Sequence, residues 1–163
     1  MLALEAIQLL RKALDDHNIV AHTMLTSELP IIQGSRAQLR EVILNLLQNS
    51  IEAMATTTRQ RVISVVTARH GPESISISLQ DTGPGIDPDK LTSIFDAFVT
   101  TKAKGTGLGL AICKMIVEQH GGKLSVASDT HYGGARFEVT LPANVSAAPE
   151  TKAPASGDAP KQV

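Results

Sequence analysis

The chain has 163 residues, 42% of them apolar, with a formal net charge of -1, which fits one domain with a real core and a tail. The balanced charge gives no electrostatic reason to bind nucleic acid or an anionic membrane; no apolar run is long enough to span a bilayer, and no signal peptide opens the chain. The single cysteine, Cys113, excludes an internal disulfide and fits a reducing, cytoplasmic compartment.

Residues 2–16 read as one amphipathic helix, with Leu2, Ala6, Leu9, Leu10, Ala13 and Leu14 at helical spacing. Residues 19–26 read as a strand. Ser35 is placed to N-cap a long helix whose apolar face is Leu39, Val42, Ile43, Leu46, Leu47 and Ile51 and which ends at the run Thr56-Thr57-Thr58. Two strands follow at 62–68 and 74–81, joined by a turn through Gly71 and Pro72. Residues 81–107 form a connection without clear periodicity, and a stretch that long usually has a function. A helix over 108–120 stops at Gly121, where glycine can take the left-handed cap. Strands at 123–128 and 135–142 flank a Gly133-Gly134 turn. The domain is thus 1–142, and 143–163, rich in Ala, Pro, Ser and Lys, reads as a disordered tail. The order predicts an α/β protein, a two-layer sandwich with helices on one face of a single sheet.

Three clusters carry chemistry. In "SISISLQDTGPGID", Ile75, Ile77, Leu79 and Asp81 share one parity, so a strand that holds its register points Asp81 inward. A buried carboxylate needs a hydrogen-bond donor; if the strand instead stops at Gln80, Asp81 merely caps a turn. Gly83 and Gly85 then allow a close backbone approach to a ligand. In "GTGLGLAI", Gly105, Gly107 and Gly109 run into a helix, whose free N–H groups suit phosphate. The cluster is neither a P-loop nor a dinucleotide fingerprint. In "NLLQNSIEA", Asn45, Asn49 and Glu52 fall on one helix face. They form either a set of hard oxygen ligands suited to Mg2+ or an ordinary solvated face. Between the glycine clusters, Phe95 and Phe98 of "IFDAFVTTK" either pin a loop or pack routinely, and Lys102 is either a phosphate contact or a surface charge.

In this order the pieces resemble the ATP-binding catalytic domain of sensor histidine kinases. "NLLQNSIEA" matches the N box, "DTGPGI" the G1 box, "IFDAFVTTK" the F box and "GTGLGLAI" the G2 box, and the likeness runs from about residue 3 to Pro142. The wording of "FVTTK" and "NSIEAM" is most similar to the nitrogen-regulator and oxygen-sensor kinases of bacteria. The resemblance implies a Bergerat-type fold, a mixed sheet of about five strands with three main helices on one face and a mobile ATP lid. It implies that Asp81 accepts the adenine amino group, with Gly83, Gly85 and Ile86 passing close to the nucleotide. Phe98, Thr101, Lys102, Gly105, Thr106, Gly107, Leu108 and Gly109 would bound the lid and meet the phosphates. Asn49, with Asn45 beside it, would hold Mg2+.

The same likeness implies no catalytic nucleophile in this chain. The phosphoacceptor histidine belongs to a preceding dimerisation domain, and His17, His22, His70, His120 and His131 all read as structural or solvent-facing. Partners implied are that domain and a response regulator receiver domain; this fragment alone is expected to be monomeric, within a parent kinase that is a homodimer and is either soluble or membrane-anchored. Asn45 stands where gyrase-type and mismatch-repair ATPases carry a water-activating glutamate, and an amide cannot act as that base. The competing readings are such an ATPase clamp and a degenerate scaffold module. Three positions depart from the family pattern: Ser35 for an aspartate, Glu52 for a basic residue, and Ala135 for a hydroxyl residue.

Overall fold

Period-two burial in the strands and a helical apolar stripe above them meet in a single layer of core. The computed structural model describes residues 1–99, 106–129 and 133–143. Helices α1 (Leu2–Leu9) and α2 (Arg11–Asp16) lead into β1 (Ile19–Leu25); α3 (Arg36–Ala53) is followed by a single 3-10 turn, Met54–Thr56. Strands β2 (Arg61–Arg69) and β3 (Ser74–Asp81), a second 3-10 turn (Pro88–Lys90), α4 (Gly109–Gln119), β4 (Lys123–Asp129) and β5 (Gly134–Pro142) complete the order. The five strands form one mixed sheet in the order β1-β2-β3-β5-β4. β1 and β2 are parallel, which requires a crossover connection, supplied by α3; the other pairs are antiparallel.

The expected first helix is split. Leu10 leaves helical geometry at φ -95 and ψ 7. The apolar spacing runs through the break because each half buries its own side: Ala3 and Ala6 in α1, which packs on α3, and Leu14 in α2, which packs on β1. A straight helix would not serve both targets. An ion pair between Glu5 and Arg36 joins α1 to the start of α3.

Ser35 caps α3 as expected, accepting from the Gln38 N–H at 3.4 Å. The buried side of α3 is Leu39, Val42, Ile43, Leu46, Leu47, Ser50 and Ile51. It faces Ile63 and Val65 of β2, Leu79 of β3, and Phe137, Val139 and Leu141 of β5 in one core. Cys113 of α4 is wholly buried there, and burial pushes its thiol up to about 12 with help from Glu41, so it is a small packing residue. At the far end of α4, His120 joins two helices: Nδ1 pairs with the Ile116 carbonyl at 2.7 Å and Nε2 accepts from the Ser35 N–H at 3.0 Å. Those roles assign a neutral ring protonated on Nδ1. At the sheet's end, Ala143 is buried and its N–H donates to the Glu73 carbonyl at 2.8 Å, so packing extends one residue past β5. Among the described residues, no helix is long and apolar enough to cross a membrane.

Leu46 is 0% exposed at the centre of α3. Leu46→Ala is expected to cost ~2–5 kcal/mol in denaturant unfolding, the usual range for a cavity in a closed core. A loss under about 1 kcal/mol would mean that α3 does not seal against the sheet.

Candidate functional site

Asp81 holds the strand register to its last residue. It pairs with Ile63 and is 1% exposed, on the inner face. Pairing continues beyond it: the Thr82 N–H donates to the Val62 carbonyl at 3.2 Å, the Val62 N–H donates to Thr82 Oγ1 at 2.9 Å, and Thr82 Oγ1 donates to the Gln60 carbonyl at 2.8 Å. The strand does not stop at Gln80, so Asp81 points inward and is more than a turn cap. Oδ1 accepts from the Gly83 N–H at 2.9 Å and from the Ala135 N–H at 3.2 Å. Oδ2 is buried with no hydrogen-bond partner, and so is Oγ of Ser50 on the facing side of α3. Burial raises the Asp81 pKa above its ordinary 3.8, against the Gly83 and Ala135 N–H groups; the Ser50 hydroxyl pulls the same way as those donors without reaching hydrogen-bonding geometry.

Beyond Asp81 the backbone is shaped by glycine. Gly85 has φ +78, and a Cβ there would stand 2.6 Å from Ser128 Oγ, which accepts from the Ile86 N–H at 3.2 Å. Ile86 itself rests half-buried on the core. Gly107 has φ +68, and a Cβ there would stand 2.6 Å from the Phe98 backbone. The Phe98 N–H donates to the Gly107 carbonyl at 3.0 Å. Phe98 is also at positive φ, 68, a rare setting for a bulky side chain, and is 77% exposed, whereas Phe95 packs on the core. Phe95 thus packs routinely, while the exposed Phe98 side chain takes neither of the roles open for it. Thr101, Lys102 and Gly105 lie outside the described residues.

On α3, Asn45 and Asn49 are half-buried while Glu52 is exposed, accepting from Gln48 Nε2 at 3.1 Å. Asn45 Oδ1 lies 3.7 Å from where a Cβ on Gly109 would stand, so the amide faces the first turn of α4. Leu108 precedes that turn without a side-chain cap, and Thr106 beside it is exposed. One end of the site therefore carries a buried carboxylate and hydroxyl with unused hydrogen-bonding capacity. The other carries amide oxygen and an uncapped helix start.

Two features escaped the sequence reading. Ser50 falls four residues after Leu46 and three after Leu47, and a hydroxyl residue on an apolar stripe was the available signal. Ala135 reads in sequence as a lost hydroxyl contact, yet its backbone N–H is the second donor to Asp81; no side-chain pattern reports a backbone donor.

Residues 34–145 match the family of histidine kinase-, DNA gyrase B- and HSP90-like ATPases. The chain belongs to this ATPase family. It is 40% identical over 141 residues to the sensor histidine kinase ZraS of Escherichia coli O157:H7, covering 86% of this chain and 30% of ZraS, so it spans under a third of that relative. The nucleotide-free catalytic domain of histidine kinase ThkA superposes with a TM-score of 0.75 at 30% identity, covering 86% of this chain and 91% of that one. ThkA in complex with response regulator protein TrrA gives 0.72 at 26%, covering 86% and 39%. Full-length ShkA in complex with AMPPNP gives 0.76 at 28%, covering 86% and 29%. The residues of this family member fit an adenine nucleotide: Asp81 Oδ2 and Ser50 Oγ are orphaned polar atoms that an adenine edge would satisfy. For Mg2+ the fit rests on hard oxygen donors from Asn45 and Asn49 together with phosphate; no group of three His, Cys, Asp or Glu able to hold a metal exists among the described residues.

Because its folded pKa is raised, Asp81 weakens the fold wherever it is ionised in both states. That penalty is absent below about 3.8, the unfolded value, and grows as pH rises from there through the folded value. Asp81→Asn is therefore expected to unfold at an equal or higher denaturant concentration than wild type at pH 7, with the gap closing below about pH 4. A clearly less stable variant at pH 7 would show that the carboxylate is held favourably.

Proposed function

We propose that the chain positions Mg-ATP for transfer of the γ-phosphoryl group to a histidine on a separate dimerisation domain, as the catalytic part of a sensor histidine kinase in two-component signalling. The observation that carries the nucleotide assignment is the pair of buried, unpartnered atoms, Asp81 Oδ2 and Ser50 Oγ, where β3 faces α3. Asp81 would accept the adenine amino hydrogen, since an ionised carboxylate is an acceptor only. The same carboxylate would reject a guanine carbonyl at that position. At the opposite end, the uncapped first turn of α4 would offer N–H groups to phosphate, with Gly107 and Gly109 beside it; the family likeness adds Gly105 and Lys102, which lie outside the described residues. Asn49 and Asn45 would hold the metal ion, which supplies charge neutralisation as the phosphoryl group leaves.

Positioning is the main contribution of such a domain, and the residues support transfer over hydrolysis. Asn45 is an amide and cannot take a proton from water. Among the described residues Asp81 is the one buried carboxylate, and its position by β3 suits the base end of the nucleotide. The four described histidines support an external acceptor, and His131 lies outside the described residues. His17 Nδ1 pairs with the Ala13 carbonyl at 2.8 Å, His120 is engaged through both nitrogens, and His22 and His70 are exposed. A response regulator receiver domain would then take the phosphoryl group from that histidine, in a cytoplasmic setting.

The test is a calorimetric titration with ATP, with and without Mg2+, reading released phosphate in the same samples. Metal-aided binding with almost no release, and phosphorylation of a supplied dimerisation domain, is the expected result. Sustained release would favour an ATPase clamp, and a folded protein that binds nothing would favour a scaffold. Two variants separate the ends of the site. Asp81→Asn should weaken ATP at least about tenfold with or without metal, as loss of a charge-assisted hydrogen bond does. Asn49→Ala should abolish the gain from Mg2+ and leave metal-free binding near wild type; equal losses in both conditions would remove Asn49 from the metal.

A further inference from the structure

Arg59 lies in the segment between the 3-10 turn after α3 and the start of β2, where an exposed arginine is ordinarily a solvated charge. Its guanidinium instead reaches the site. One nitrogen, Nη2, donates to the Gly83 carbonyl at 3.3 Å and to the Gly133 carbonyl at 3.4 Å. Those carbonyls lie beside the two N–H groups that hold Asp81. Gly83 is itself one donor to Asp81 Oδ1, and Ala135, two residues after Gly133, is the other. Gly133, just before β5, leaves room for the guanidinium: it has φ 58, and a Cβ there would stand 2.8 Å from Arg59 Nη1. A planar, permanently charged fork suits two carbonyls arriving from different directions.

We infer that Arg59 is a positioning residue for adenine recognition. It clasps Gly83, after β3, to Gly133, just before β5, so that both backbone donors converge on Asp81 Oδ1 and Oδ2 stays free for the base. The inference rests on the nucleotide reading above, and its effect passes through Asp81, with no contact between Arg59 and the base required.

Two measurements test it, the first without nucleotide. Amide hydrogen exchange at Gly83 and Ala135, read by NMR, should accelerate about tenfold in Arg59→Gln, the loss of roughly one net hydrogen bond. Core amides of β2 and α3 should keep their protection, and Arg59→Lys should recover part of the loss. Unchanged exchange at both amides overturns the clasp. The second measurement titrates ATP into wild type, Arg59→Gln, Asp81→Asn and the double variant. Arg59→Gln should bind about three- to tenfold more weakly, and the same change should have no further effect on an Asp81→Asn background. An equal loss in both backgrounds would make Arg59 independent of Asp81 and overturn the inference. Failure of wild type to bind ATP would overturn the nucleotide reading, and with it the adenine role, while amide exchange still decides the clasp.

Discussion

A carboxylate buried at the end of a strand must be met by donors, and here the donors are backbone N–H groups from two separate segments. Asp81 Oδ1 is held by Gly83, which follows β3, and by Ala135, the second residue of β5. This requirement fixes the surroundings. Thr82 extends the pairing with β2 so that the side chain stays inward. Gly134 must lack a side chain, because a Cβ would run into the Asp81 carbonyl. Burial leaves Oδ2 with an unmet demand, and an unmet buried acceptor is what a base-recognition site offers a ligand.

Helix α3 serves the core and the site with different faces of one cylinder. Its apolar stripe seals the sheet and carries Ser50, while the adjacent face presents Asn45 and Asn49. Helix α4 is held against it at both ends: Asn45 stands near Gly109 at the start, and His120 is bonded to Ser35 at the finish. The two helices are set relative to each other by these contacts and by packed side chains, so the polar groups of the site rest on a rigid frame.

Much of this was legible in the sequence because it is written in periodicity. The parity of Ile75, Ile77 and Leu79 placed Asp81 inward, and the stripe from Leu39 to Ile51 gave α3 its buried face. The order of the four boxes pointed to the family. What was not legible depends on geometry that a one-dimensional pattern does not encode. Leu10 breaks the first helix although its apolar spacing is continuous. Ala135 contributes through a main-chain N–H that any non-proline residue possesses. Glu52 shares a helical stripe with Asn45 and Asn49 but pairs outward with Gln48. Residues 100–105, which hold Thr101, Lys102 and Gly105, lie outside the described structure.

The sheet consists of two hairpins, β2–β3 and β4–β5, joined where β3 meets β5, with β1 added along one edge. Each hairpin closes a short loop, whereas the β3–β5 pairing joins residues far apart in the chain and is the slower contact to form. Gly83 reaches Asp81 as soon as the turn after β3 forms; Ala135 reaches it only when the second hairpin docks. The Asp81 carboxylate has its second donor, and Oδ2 its unmatched setting, only in the complete sheet. A ligand selecting that oxygen would draw the folding equilibrium toward the docked sheet by mass action.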